Sequence, residues 1–301
     1  MIFQTRVHGK WILAGEHSVL RGTPALVFPL TSRSLNFTFE PKANKTSESL
    51  QLELQGEHGD ELQLLFWGVL EKACSLRKIF RQELRGRVVM ASSIPVGAGL
   101  GASAALSVAV AQWFQYLKVL RESELLEFSL QLENLFHGES SGVDLAVALS
   151  GRPLKYTRGA GALSQVFLTP AWTPQWYVSY SGKRGVTMEC VNRVKQLIKN
   201  NAELGQKIDN DMKAAVNLAE KALSETAMTG LLPLAQAIDL AKSCFERWGL
   251  TEGLPEQHMH WLKQHGAMAV KPTGSGNGGY VLSLWDHQPS AAALTKLIPC
   301  F

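Results

Sequence analysis

The chain has 301 residues, 46% hydrophobic and 19% charged, which is apolar material enough for a sizeable core and a length that suggests about two domains of roughly 150 residues. Its formal net charge of +4 lacks the concentrated basic footprint of a nucleic-acid binder, although it would suit anionic small substrates. Four cysteines (Cys74, Cys190, Cys244, Cys300) stand far apart with no CxxC pair, which argues against a metal knuckle or a disulfide scaffold and fits a reducing cytosol.

The start, MIFQTRVHGKWILAGEH, meets charge too soon for a secretory signal, and no apolar run approaches the roughly 20 residues that span a bilayer. The expectation is a cytoplasmic protein with no membrane partner and no nucleic-acid partner. Residues 2–13 and 25–39 read as strands, and the polar stretch 40–62 as a hairpin or an exposed excursion. Residues 62–80 read as a helix, RVVMAS (87–92) as a strand and 102–120 as a helix. A second helix covers about 123–137, where Leu125, Leu132, Leu135 and Phe136 keep helical spacing and Gly138 supplies a C-terminal stop. A third starts near Ser141. The Gly, Pro and Thr content of 151–175 marks hairpins and a boundary, and WYVSYS (176–181) opens the second half as a strand. From 186 to about 262 the pattern is helical, with breaks expected near Gly205, Gly230–Pro233 and Gly249–Pro255. The end reads strand (AMAV), glycine loop, strand (YVLSLW) and a last helix from Ser290. Strands and helices cluster rather than alternate, so the class is α+β, with expected domains at 1–165 and 166–301. The tryptophans, among them Trp11, Trp67 and Trp113, read as core.

The stretch SSIPVGAGLGASAALSVAVA (92–111) follows a strand and opens a helix. That context suits an anion, because the first helical N–H groups lack partners and the helix dipole favours negative charge there. Gly97, Gly99 and Gly101 remove side chains, so a phosphate can approach the backbone. The stretch is neither a Walker A loop, since no Lys follows the last Gly, nor GxGxxG. On the residues alone it remains either an anion cradle or a glycine-rich strand–helix turn, with Ser103 an ordinary early-helix hydroxyl. Ser141-x-x-Asp144 is a capping pattern, so Asp144 either caps a helix or serves as a base; the two are compatible. Lys10, Glu133, Glu16 and His17 each have an ordinary structural reading as well, and Gly274, Ser275, Gly276, Gly278 and Gly279 could form a flexible hairpin loop.

PVGAGLGASAA (95–105) resembles the second motif of the GHMP kinases, P-x-x-x-G-L-G-S-S-A-A. GKWILAGEHSVLRGTPAL (9–26) resembles the first motif of that family and KPTGSGNGG (271–279) the third, so the likeness spans nearly the whole chain. The first motif, together with ENLFHGESSGVD (133–144), is most similar to the mevalonate kinase branch. His8, Ala102, Ser140, Asn277 and Tyr280 depart from the family pattern, and Lys271-Pro272-Thr273-Gly274 resembles the K-P-S-G of phosphomevalonate kinases.

The resemblance implies a two-domain GHMP kinase fold, with a ribosomal-protein-S5-like N-terminal domain and a ferredoxin-like C-terminal domain. It implies transfer of the γ-phosphoryl of Mg²⁺·ATP to the primary hydroxyl of mevalonate. Asp144 is then the base and Lys10 its cationic partner. Pro95, Gly97, Ala98, Gly99, Leu100, Gly101, Ala102 and Ser103 bind ATP, and Ser103 and Glu133 hold Mg²⁺. Lys10, Glu16, His17, Asp144, Thr187, Gly274 and Ser275 face the acceptor, while His137 is structural. The alternatives are a sibling kinase acting on phosphomevalonate, another alcohol or a sugar, and a non-catalytic relative that binds nucleotide and metabolite. The expected assembly is a monomer or homodimer.

Overall fold

The computed structural model describes residues 1–42, 50–56, 59–137, 141–158 and 163–301. In chain order the elements are β1 (Phe3–Ala14), β2 (Ala25–Pro41), β3 (Gln51–Gln55), α1 (Gly59–Arg77), β4 (Gly86–Ser92), α2 (Ala102–Tyr116), α3 (Leu125–His137) and α4 (Val143–Ser150). The chain continues through β5 (Leu154–Arg158), β6 (Leu163–Phe167), β7 (Gln175–Tyr180), α5 (Thr187–Asn200), α6 (Ala202–Ser224) and α7 (Ala227–Arg247). It ends with α8 (Leu254–Gln264), β8 (Ala269–Thr273), β9 (Tyr280–Trp285), α9 (Ala291–Leu294) and β10 (Ile298–Pro299). The class is α+β, as expected. Among the described residues no helix is long and apolar enough to cross a membrane.

Two compact units divide the chain. The first gathers Met1–Gly9, Arg33–Val96 and Gly101–Gly151; the second gathers Lys10–Ser32, Gly97–Leu100 and Arg152–Phe301. In the first unit β4 pairs antiparallel with the later part of β2 (Phe37 opposite Met90) and parallel with β3 (Glu53 opposite Val89). Helix α2 packs against α1, α3 and α4. Its Ala-rich sequence follows from that position, since a helix enclosed on several sides has no polar face and small side chains let its neighbours approach. Trp113 fills the space between α2 and the strands, tilted against Phe37 (5.6 Å between centroids) and Phe39 (4.9 Å).

In the second unit β5 pairs with the start of β2 and with β6, both antiparallel, so 154–167 contains the expected hairpin. A four-stranded antiparallel sheet runs β10-β7-β9-β8. Trp11 stacks on Phe28 (4.6 Å, 14°) and meets Trp176 edge-on at 4.7 Å. Rings of this size, fully buried, stabilise by about 2–3 kcal/mol each. Trp11 and Trp113 are core residues as expected, and Trp67 is half-buried beneath the guanidinium of Arg81.

Several local expectations are corrected. Within 40–62 the described part is no hairpin: Gln51–Gln55 forms a strand parallel to β4, a pairing of distant segments that local pattern does not announce. Residues 43–49 of that stretch, and Gly138 and Ser140, lie outside the described residues. Gly205 does not break the helices. The break falls at Asn201, whose side chain accepts from Leu204 N–H and caps α6. Gly205 lies in the first turn of α6, where a Cβ would stand 2.8 Å from Ile198 Cγ1, so its role is close approach of α5 and α6. Gly230 and Pro233 likewise sit inside α7, and a Cβ on Gly230 would meet Ala222 O at 2.3 Å. The N-cap of α4 is Gly142, at φ 82°, rather than Ser141, whose Oγ nonetheless accepts from Val143 N–H at 3.4 Å, and Asp144 is the second residue of the helix. The two-residue strand β10 carries no sequence signal.

Candidate active site

The second unit joins the first-motif segment, the glycine loop and the third-motif loop through specific bonds. Lys10 N–H donates to Leu100 O at 2.9 Å, tying the glycine loop to β1. Two residues on, Ile12 N–H donates to Thr273 Oγ1 at 2.8 Å, and the Thr273 hydroxyl donates to Ile12 O at 3.1 Å. One buried side chain on β8 thus satisfies both backbone groups of a residue on β1, which buried peptide groups require. Loops 97–100 and 274–279 lie backbone against backbone: a Cβ on Gly279 would be 2.8 Å from Ala98 O, and one on Gly274 would be 3.4 Å from Gly99 O. Gly97, Gly99 and Gly101 take φ of 68°, 85° and 82°, the left-handed region that glycine enters at no steric cost. The Arg184 guanidinium comes within 3.5 Å of where a Cβ on Gly97 would stand.

His17 is the centre of a three-residue turn. Its φ of 58° and ψ of −47°, with Ser18 N–H donating to Glu16 O at 2.6 Å, describe the γ-turn of the strained kind. The ring is buried against Phe245 and Trp248, and its Nε2 donates to Ser275 O at 2.9 Å. That carbonyl can only accept, so Nε2 carries the proton and Nδ1 is an acceptor. Burial pushes the imidazole down from 6.5 to about 4 despite the opposing hydrogen bond that His17 donates to Ser275 O. The unfolded chain therefore takes up a proton below pH 6.5 that the folded protein refuses until about pH 4. Stability is fully present above pH 6.5 and is lost as pH falls, by about 2 kcal/mol between pH 7 and 5. Urea midpoints at the two pH values should show this loss, and His17→Asn should remove it; an unchanged acid slope in the variant would contradict the assignment.

Beside His17, Glu16 and Lys271 form an ion pair inside the protein, Oε1 to Nζ 2.5 Å, at 3% and 0% exposure. The turn that carries Glu16 and His17 is anchored on α6 by Arg21, which donates twice to Asp209 at 2.5 Å. Thr187, the first residue of α5, donates to Ser275 Oγ at 3.4 Å, and Cys190 Sγ lies 3.3 Å from Gly276 O.

The first unit holds the other candidates, one on each of three helices in mutual contact. Ser103 is the second residue of α2, after the N-cap Gly101. Glu133 lies on α3 at 1% exposure, so it is no solvated surface glutamate. Asp144 is half-buried in the first turn of α4, where N–H groups have no intrahelical acceptor. Pro95, Gly101 and Ala102 also belong to this unit. The predicted residues thus form two sets. Lys10, Glu16, His17, Gly97, Ala98, Gly99, Leu100, Thr187, Gly274 and Ser275 belong to the second unit; Pro95, Gly101, Ala102, Ser103, Glu133 and Asp144 belong to the first.

Lys271 and Thr273, read only within the run that resembles K-P-S-G, and Arg184 were not among the expected site residues. A lysine in the apolar run that leads into KPTGSG was a usable signal for Lys271, because a lysine there must find a buried anion. Nothing local distinguished Arg184 from its neighbour Lys183.

Residues 65–152 match the sequence profile of the GHMP kinases N terminal domain. The mevalonate kinase of Thermococcus sibiricus is 28% identical over 308 residues, covering 94% of this chain and 89% of its own. Among solved structures, L. major mevalonate kinase in complex with R-mevalonate superposes with a TM-score of 0.81 at 20% identity, over 98% of this chain and 89% of its own. Methanococcus jannaschii mevalonate kinase superposes with a TM-score of 0.72 at 17% identity, over 95% and 91%.

Proposed function

We propose that this chain, a member of the GHMP kinases, transfers the γ-phosphoryl group of ATP to the primary hydroxyl of mevalonate. The observation that carries the reading is the bonding of the first-motif strand to both loops, through Lys10 N–H to Leu100 O and Ile12 to Thr273. Phosphoryl transfer needs little covalent help; it needs held phosphates, cations and an oriented hydroxyl. In this reading the left-handed glycines of 97–101 and the first N–H groups of α2 cradle the triphosphate. Arg184, against Gly97, offers a planar fork for phosphate oxygens. Asp144 takes the proton of the acceptor hydroxyl as its oxygen bonds to the γ-phosphorus and the bond to the β-γ bridging oxygen breaks. Lys10 stabilises the charge on the entering oxygen.

Ser103 and Glu133 fit Mg²⁺ by donor chemistry. They offer one hydroxyl and one carboxylate on packed helices, and Mg²⁺ takes one or two protein oxygens beside water and phosphate oxygens. When bound, the metal would neutralise charge on the transferring phosphates. His17, with Nε2 held by Ser275, turns an acceptor nitrogen toward its remaining neighbours and suits the recognition of a hydroxyl.

The choice of acceptor rests on the relatives that match over most of the chain. A coupled ADP-release assay with mevalonate, phosphomevalonate, homoserine and galactose tests it. Turnover on mevalonate alone is the expected result. Turnover on phosphomevalonate instead would move the acceptor, and nucleotide binding with no turnover on any alcohol would make the chain a sensor.

A further inference from the structure

Asn277 interrupts the glycines of the 274–279 loop and takes a φ of 54°, in the left-handed region. Asparagine enters that region more readily than most side chains, but glycine does so at no steric cost. Two bonds hold the residue in place. Its N–H donates to Leu250 O at 2.6 Å, and its Oδ1 accepts from Lys183 Nζ at 2.9 Å. Glycine would keep the first bond and lose the second. Lys183 belongs to a segment, 181–187, that lies along the 275–279 loop. Gly279 N–H donates to Lys183 O at 2.7 Å, and Ser181 N–H donates to Gly279 O at 2.9 Å. A Cβ on Gly278 would stand 2.7 Å from the Arg184 carbonyl carbon, and one on Gly185 would stand 2.9 Å from Gly276 O. The two stretches therefore touch backbone to backbone. At the far end Thr187 donates to Ser275 Oγ at 3.4 Å. Between these attachments Arg184 brings its guanidinium to within 3.5 Å of the Cβ position of Gly97.

We propose that Asn277 is a positioning residue: its amide oxygen holds Lys183, and the held segment keeps the Arg184 guanidinium at Gly97, where the phosphates of ATP bind. The proposal rests on the kinase reading given above. A residue needed only to make the turn would be served best by glycine, which takes this φ without strain. Asn277 gives up that ease and gains an acceptor for Lys183. Lys183 is thereby tied to the loop through its carbonyl and its side chain together, so Arg184 leaves from a stem fixed at two points. The Arg184 fork meets phosphate oxygens alike in bound ATP and in the transition state. Its displacement therefore weakens nucleotide binding without slowing the chemical step.

The test compares the wild type, Asn277→Gly, Lys183→Met and the double variant in mevalonate-dependent ADP release. Hydrogen exchange of the peptide spanning 181–187 is followed by mass spectrometry in the wild type, Asn277→Gly and Asn277→Asp, with a melting curve for each protein. Asn277→Gly should raise KM for ATP by roughly fivefold, the scale of one surface hydrogen bond from a charged group. Its kcat, its KM for mevalonate and its midpoint should stay close to those of the wild type, while 181–187 exchanges faster. Asn277→Asp keeps an acceptor for Lys183 and should keep the slow exchange. In the Lys183→Met background, Asn277→Gly should raise KM no further, because the bond is already gone. Unaltered KM for ATP and unaltered exchange in Asn277→Gly would overturn the proposal, as would a lowered midpoint with no change in KM; either leaves Asn277 a residue of the turn alone. Full additivity of the two substitutions would overturn the part of Lys183. A wild type that binds ATP without turning over mevalonate sinks the choice of acceptor, and the dissociation constant of ATP then replaces KM in every comparison. A wild type that binds no ATP sinks the kinase reading and the phosphate role with it, and the exchange of 181–187 still decides whether Asn277 holds the segment.

Discussion

Asp144→Asn lowers kcat with mevalonate and ATP by about 10³–10⁴-fold, with KM values and the thermal midpoint close to those of the wild type. The substitution keeps the shape of the side chain and removes its capacity to take a proton. Asp144 is half-buried in the first turn of α4, a helix whose N-cap is Gly142. If the residue served only the fold, the variant would lose stability and keep its turnover. As the base, it reverses that pattern: the fold stands and about 4–5 kcal/mol of transition-state stabilisation disappears. Steady-state kinetics with a melting curve on the same preparation separates the two. Turnover within threefold of the wild type would remove Asp144 from the reaction.

The largest structural effect is expected at Gly15, the last residue before the γ-turn of Glu16–Ser18. Its φ is +106°, and a Cβ there would stand 2.4 Å from Ala25 Cα and 2.5 Å from Pro24 O. Both are backbone atoms at the entrance to β2, so no rotamer change relieves the collision. Its N–H also donates to Met212 Sδ on α6, and its carbonyl accepts from Val19 N–H. Gly15→Ala combines a strained φ with overpacking, and the expected cost is about 4 kcal/mol or more. In a chain of this size that lowers the midpoint by roughly 6 °C or more. Gly151→Ala supplies the control: φ is also left-handed, at 62°, but nothing lies within 4 Å of the added Cβ. That variant carries strain without collision and should lose about 1 kcal/mol. Equal midpoints for the two would mean that the Gly15 contacts relax freely.

Local pattern sufficed where one physical cause acts over neighbouring residues. Strands β1, β2, β4, β7 and β9 keep the short apolar runs of half-buried or buried strands, and α2 and α3 keep helical spacing between recognisable ends. It misled where a residue type has two uses. Gly205 and Gly230 look like helix breakers, but each lies inside a helix at a point of close contact, while the break at Asn201 comes from a capping side chain. Ser141-x-x-Asp144 has the spacing of a cap, yet Gly142 takes that position. Strand β3 needed its partner β4, some 35 residues away, to be recognised at all.

By itself the sequence determined the chemistry on offer: a glycine stretch between strand and helix, a strand lysine before it, carboxylates at helical positions and a second glycine loop near the end. Those depend on residue type and short spacing, which a linear reading contains. Only the tertiary structure decided how they group. Residues 97–100 leave their sequence neighbours and join β1 and the 274–279 loop, while Ser103, three residues further on, belongs with Glu133 and Asp144. Only the fold made Lys271 the partner of Glu16 across 255 positions, because a buried charge is satisfied by whatever the packing brings within about 3 Å of it, and packing is set by the whole chain.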